Sequence, residues 1–202
     1  MKMKPFLSLG LALAAFAFTG CDDNDNTTDV TLRNNARVLV VHAVPDAPPV
    51  NLVVNNNTVS PAATGLAFGS NTGYLNVNTA PSPTNVKVIV PSLSNATVID
   101  ANVPLQTGTN YTAFATGRAS GTPAIGAIVV TDNLAAPAAN QAHVRFFHLA
   151  PGAPAVDIFA FTGTTQPTTP TFDARSFETQ ATASANQNFT PVAAGTYTIN
   201  VR

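Results

Sequence analysis

The chain has no tryptophan, a single cysteine and three histidines among its 202 residues. One cysteine, Cys21, excludes an intrachain disulfide and a zinc site built from cysteines. Charge is scarce, with 9 basic and 10 acidic residues. Lys2 and Lys4 stand at the very start, and Lys87 is the only other lysine. Such a chain lacks the basic footprint that a phosphate backbone or an anionic lipid surface requires, so nucleic acid is excluded as a partner. There is no Gly-x-Ser-x-Gly elbow, no glycine-rich phosphate loop and no second cysteine to pair with a histidine. Nucleophilic catalysis therefore has no signal, and no catalytic residue, metal or cofactor is assigned.

The beginning of the chain is more informative. Met1-Lys2-Met3-Lys4 is a positive n-region, and Phe6 to Phe18 is an apolar run of about a dozen residues, the length of a signal-peptide core. A bilayer span needs about 20 residues, so the run is too short to cross. It ends in Phe18-Thr19-Gly20-Cys21, which resembles a bacterial lipobox, although Phe18 stands where that pattern usually has an aliphatic residue. The resemblance implies a signal peptide over 1–20 and a lipid on Cys21 as the mature N-terminus. Two or three acyl chains would hold the protein firmly, where one chain binds only marginally. The rival is ordinary cleavage after Ala15-Phe16-Ala17, leaving a free thiol. Residues 21–35 open with Asp22-Asp23-Asn24-Asp25, acidic and polar, and read as a disordered tether. Acidic residues after such a cysteine also resemble the surface-export signals of some bacterial lipoproteins; a plain solvated linker is the alternative.

From Arg37 on, the pattern is all β. Apolar runs rich in Val, Ile, Phe and Thr alternate with Pro, Gly, Asn and Ser. Strands are expected at 37–43, 50–55, 73–77, 85–91, 96–103, 110–117 and 124–131, with turns at Asn55-Asn56-Asn57 and around Gly108. Seven short strands in roughly 95 residues, with no amphipathic helix, fit a β-sandwich of immunoglobulin-like size. The Cys…Trp…Cys core of antibody domains is absent, so the likeness is one of architecture only.

The chain also repeats itself. Arg37-Val38-Leu39-Val40-Val41-His42-Ala43-Val44-Pro45-Asp46-Ala47-Pro48-Pro49-Val50-Asn51 returns as His143-Val144-Arg145-Phe146-Phe147-His148-Leu149-Ala150-Pro151-Gly152-Ala153-Pro154-Ala155-Val156-Asp157. Each copy reads as an apolar strand ending in His, a Pro-rich turn and a second apolar strand. The first copy occupies 36–132, a linker 133–141, and the second copy 142–202, with strands expected at 143–149, 156–161, 188–192 and 196–201. Phe68 matches Phe177, and Asn85–Val90 matches Thr196–Val201. The second copy has no counterpart of the last three strands of the first. An incomplete sandwich exposes edges and a core face. It completes itself against the first copy or a partner, or its sequence is truncated; truncation or an unstable second half is the expectation.

The repeated motif resembles the bacterial family called domain of unknown function 4397, whose signature runs His-Ala-Ser-Pro-Asp-Ala-Pro-x-Val-Asp between hydrophobic strands. Leu66-Ala67-Phe68-Gly69, Tyr74, Gly108 and Asn110-Tyr111-Thr112 resemble it too. The likeness covers 36 to about 132 fully and 142–202 in part. It implies secreted or lipid-anchored bacterial proteins, often in tandem copies, with no established activity.

Four residues are candidates for a ligand. His42 and His148 recur at equivalent places, yet His143, the third histidine, lies an odd number of residues from His148 and so faces the other way on a strand. A metal or catalytic role competes with a histidine that ends its strand and bonds the following turn. Asp46 and Asp157 invite calcium. However, copy one pairs Asp46 with Asn51, and copy two pairs Gly152 with Asp157, so neither keeps both carboxylates. A turn position explains the Asp46/Gly152 exchange as well. The phenylalanines crowding copy two could offer a stacking platform, but core packing is the simpler role. The expectation is thus two immunoglobulin-like β-sandwich modules in tandem, the second incomplete. They would belong to a non-enzymatic protein lipid-anchored through Cys21 at the outer membrane or cell surface. Its partners would be a protein or glycan of the envelope. The alternative is a periplasmic or surface hydrolase around His42 and Asp46.

Overall fold

The computed structural model describes residues 34–60 and 65–202. The expected leader, Cys21 and most of the tether lie outside the described residues. Among the described residues the chain is all β apart from one short helix and a single 3-10 turn at Pro91–Leu93. No described helix is long and apolar enough to cross a membrane.

Eight strands make up copy one: β1 (Asn35–His42), β2 (Asn51–Val54), β3 (Asn57–Ser60), β4 (Asn71–Asn78), β5 (Thr84–Val90), β6 (Ala96–Val103), β7 (Asn110–Thr116) and β8 (Gly126–Thr131). They form two four-stranded sheets, ordered β4-β1-β7-β8 and β3-β2-β5-β6. All pairs are antiparallel except β1 with β7, which run parallel. Alternation along β1 explains the layering. Ala36, Val38, Val40 and His42 are buried on one face, while Arg37 is exposed on the other. The inward residues of β1 meet Leu52 and Val54 of β2, Val88 and Val90 of β5 and Ile99 of β6 in one apolar core shared by both sheets. β2 is buried at all four positions, more completely than its central neighbour β5.

The turn expected at Asn55-Asn56-Asn57 is tighter than its three residues. Asn55 and Asn56 alone sit at φ 46° and 66°, the two consecutive positive angles of a type I′ hairpin. It delivers β3, a strand the sequence pattern did not mark. Asn57-Thr58-Val59-Ser60 carries a single apolar residue, so it has no hydrophobic run to detect.

Copy two contains β9 (Gln141–Val144), β10 (Val156–Phe161), β11 (Phe172–Arg175), the helix α1 (Gln180–Ala185), β12 (Thr190–Ala193) and β13 (Thr198–Val201). Its pairings repeat those of copy one. β9 with β12 reproduces β1 with β4, β10 with β11 reproduces β2 with β3, and β10 with β13 reproduces β2 with β5. Register repeats as well. Ala142 faces Val192 as Ala36 faces Val77, and Ile158 faces Val201 as Leu52 faces Val88.

That register corrects the sequence match between Asn85–Val90 and Thr196–Val201. Val201 stands in the place of Val88 rather than Val90, a slip of two residues. Because side chains alternate with a period of two, such a slip leaves the apolar face unchanged, and pattern alone cannot detect it. The expected strand 143–149 is also shorter, since β9 ends at Val144. β1 is held on both sides over eight residues, whereas β9 pairs only with the four residues of β12. The helix was not expected. Thr179 caps it by accepting from the Thr182 amide, the Thr182 hydroxyl caps back, and three alanines favour the helical state. The Phe68–Phe177 match agrees with the backbone. Gly69 donates its amide to the His42 carbonyl at 2.9 Å, and Glu178 does the same to His148 at 2.9 Å.

Candidate functional site at the junction of the two copies

Copy two packs on the outer face of the first sheet. Phe114, Ile128 and Val130 of copy one are buried with Ala183 of α1, and Val41, Phe147 and Leu149 close around them. Phe147 meets Phe114 edge-on, ring centroids 5.2 Å apart. Arg145 stands where copy one has Leu39, and it braces this junction. Its guanidinium donates to Asp132 at 2.5 Å, to the Thr112 hydroxyl at 3.0 Å and to the Gln187 carbonyl at 3.2 Å. It also lies over the rings of Phe147 and Phe189, 5.1 and 4.5 Å from their centroids. The Asp132 carboxylate is fully buried and accepts Tyr74 and Thr112 hydroxyls at 2.7 Å each. Burial, seconded by the hydrogen bond to Asp132, pushes the Tyr74 phenol up to about 12.

Two further devices join the copies. Gln180 places its side-chain amide against the edge of β8, accepting from the Val129 amide at 2.8 Å and donating to the Val129 carbonyl at 2.7 Å. Gln187 accepts from the Thr131 amide at 3.0 Å. These side chains satisfy backbone groups that an edge strand otherwise leaves open. The second device is the β7–β8 loop, held by both Pro-rich turns. Asp46 accepts the Ala119 and Ser120 amides at 2.8 and 3.1 Å, while Arg118 donates to the Pro151 carbonyl at 2.7 Å. Those amides hold the Asp46 carboxyl below its ordinary value. Gly152 sits at φ +82°, and a Cβ there would lie 3.0 Å from the Arg118 guanidinium. The Asp46/Gly152 exchange therefore gives two turns that grip one loop differently.

His42 and His148 come together at this junction. Both line one open groove of about 720 Å³, with Val41, Phe68, Phe146, Leu149, Val156 and Val201 among its walls. Each imidazole Nε2 meets the carbonyl six residues ahead: Pro48 at 3.2 Å from His42, Pro154 at 3.1 Å from His148. A carbonyl can only accept, so each Nε2 carries the proton. The Val44 amide donates to Nδ1 of His42 at 3.2 Å, which completes that ring's bonding. Nδ1 of His148 is buried without a partner. Both rings thus hold their own turns and also form part of one shared cavity.

The other candidates lie elsewhere. Asp157 accepts the Ala174 amide at 2.7 Å within the β10–β11 pair, and Asp46 is engaged by the β7–β8 loop. His143 stacks on Phe189, ring centroids 6.1 Å apart. Among the described residues no three His, Cys, Asp or Glu side chains converge as metal ligands would. Arg145, Asp132, Gln180 and Gln187 were not singled out from sequence. A charge at Arg145 inside an apolar run, where the other copy has Leu39, was the available signal.

No curated protein and no solved structure matches the chain. A family model does, over residues 36–159, which takes in all of copy one and continues through the second Pro-rich turn into β10. That span holds both histidines and the loop gripped between their turns, and the model is described as Domain of unknown function (DUF4397). The chain belongs to this family.

Proposed function

We propose that the protein is a non-catalytic binding module of the bacterial cell envelope, lipid-anchored through Cys21, with its ligand seat in the groove between the copies. Each copy is read as an immunoglobulin-like β-sandwich unit, the second incomplete. Two four-stranded sheets around one core, and a second set of strands paired in the same order, support that reading. The observation that carries the binding role is the groove. About 720 Å³ lies within the range of sites that hold small molecules, and its walls are apolar side chains from both copies. Phe68, exposed beside it, adds an aromatic wall from copy one.

The rival hydrolase around His42 and Asp46 needs a free base and a free acid. His42 has both ring nitrogens engaged, and both Asp46 oxygens receive backbone amides. Loss of a hydrolytic activity in a His42→Ala variant would bring that reading back.

Radioactive palmitate tests the anchor: label is expected on the wild type and absent from Cys21→Ala, and equal labelling of both sinks it. Retention of an envelope component by the wild type but not by Ala153→Trp, which fills the groove from an exposed position, tests the seat. Equal retention by both proteins places binding elsewhere.

A further inference from the structure

Resting on that reading of the groove, we infer that its ligand is an extended strand of a partner polypeptide, added in parallel to residues 145–149. Copy one shows what fills the corresponding seat. There β7 runs parallel to β1, from Arg37 beside Asn110 to His42 beside Ala115. The Arg37 and Ala43 amides donate to the Thr109 and Ala115 carbonyls at 3.0 and 2.8 Å, while the Asn110 carbonyl accepts from Asp132, beyond β8, at 2.8 Å. Backbone groups alternate sides along a strand, so the odd-numbered residues of β7 bond β1 and the even-numbered ones turn to β8. Residues 143–149 follow β1 position by position, which puts the amides of Arg145, Phe147 and Leu149 where Leu39, Val41 and Ala43 meet β7. Among the described residues no strand pairs with them. β9 ends at Val144, β12 is its one partner, and the backbone of Arg145, Phe146, Phe147 and Leu149 makes no hydrogen bond.

The groove lies along this open edge. Phe147 and Leu149 turn toward Phe114 of copy one, whereas Phe146, before them, turns onto Phe172 of β11. All three line the groove. A cavity touched from both faces of an extended segment lies in the plane of the sheet, where a neighbouring strand goes. Its walls also include residues whose counterparts are core in copy one. Phe146 stands for Val40, Val156 for Val50 and Val201 for Val88, and each is less buried than its counterpart. The polarity of the seat selects a backbone. No charged side chain lines it, and the open edge offers N–H and C=O groups in alternation, which a second strand complements and a charged headgroup does not. The seat is also continuous with the junction, since Val41, Phe147 and Leu149 belong to both. By the β1–β7 register, the incoming residues beside Phe146 and His148 take the places of Ala113 and Ala115, so the partner strand carries small residues there.

The test adds synthetic peptides to the full chain. The probe has the sequence of β7, Asn110–Thr116. One version is N-methylated at the positions of Ala113 and Ala115, whose amides face the seat, and another at Thr112 and Phe114, whose amides face away. The plain peptide is expected to bind and to slow hydrogen exchange at the Phe147 and Leu149 amides. Methylation facing the seat should weaken binding by about ten-fold or more, the worth of two main-chain hydrogen bonds, and methylation facing away by less than about three-fold. A spin label on the C-terminus of the peptide should broaden Leu149 more than Val144, as parallel pairing requires. No binding, unchanged exchange at those two amides, equal effects of the two methylations or the reverse label pattern each overturns the inference. So does self-association of the chain that protects the same amides without peptide, which makes a second copy the occupant. If the peptide fails while Ala153→Trp still abolishes retention of an envelope component, the strand falls and the binding module stands. If both fail, both fall.

Discussion

Copy one and copy two share a pairing scheme but are held in place by different means. In copy one, β6, β7 and β8 complete two sheets around a core that takes in His42, Val44, Val77 and Val90 at 2 % exposure or less. Residues 141–202 hold counterparts of β1 to β5, divided between a three-stranded and a two-stranded sheet. They leave Ile199 and Val201 of β13 more than half exposed, where β5 would be covered by β6. At the junction, residues 141–202 are held by a charge brace, a capped sheet edge and the face of the β7–β8 hairpin. The two copies thus share a pairing register while the contacts around them differ.

The comparison can be broken most severely at Arg145. Arg145→Ala removes the partner of a buried carboxylate and should cost about 3–5 kcal/mol, read as a lowered urea midpoint. Pairing Arg145→Leu, the copy-one residue, with Asp132→Asn should restore part of that loss; an additive double variant would show that the two side chains do not act together.

Gly152→Val comes next. A β-branched residue at φ +82° that also displaces Arg118 from Pro151 should cost roughly 1–2 kcal/mol by thermal denaturation. The same change at Gly69, φ +78° with open space around it, carries the backbone strain without the lost contact and should cost less.

Gln180→Ala strips β8 of its side-chain cap and should cost about 1 kcal/mol, with faster hydrogen exchange at the Val129 amide. Unchanged exchange would mean that water replaces the glutamine without loss.

The smallest effects are set by pH. Tyr74, raised from its ordinary 10.0 to about 12, adds stability that is complete below pH 10 and disappears as pH rises through 12. Tyr74→Phe should flatten that alkaline limb. Asp46 is lowered from 3.8, so its contribution is present above that value and lost as pH falls through its folded value. Exchange at Ala119 and Ser120 should accelerate there, and Asp46→Asn should remove the dependence.

Much of this fold was legible because apolar residues recur with a period of two. Strands 96–103 and 156–161 appear as β6 and β10 at the expected limits, and the repeated His-to-Val stretch marked both turns. What escaped lacked that signal. β3 is polar, and α1 is built of Gln, Ala, Thr and Ser, with Ala183 alone buried. Of the site, the sequence singled out the two histidines and two acids, but not their company. Whether His42 and His148 share a cavity depends on how one copy docks on the other, which no local pattern encodes. Arg145 showed only as a charge in an apolar run until Asp132 was seen buried beneath it.

The position of the docking surface also sets an order of events. Apart from Val41, the residues that receive copy two lie on β7, on β8, in the loop between them and at Asp132 just beyond. These are the last parts of copy one to leave a ribosome, and β7 closes its sheet by pairing in parallel with β1, the first strand among the described residues. The late half of the chain therefore has nowhere to settle until the early half has closed on itself. Two similar segments in one chain invite exchange of strands, a characteristic failure of repeat proteins. A platform that exists only once copy one has closed would favour each strand staying with its own copy.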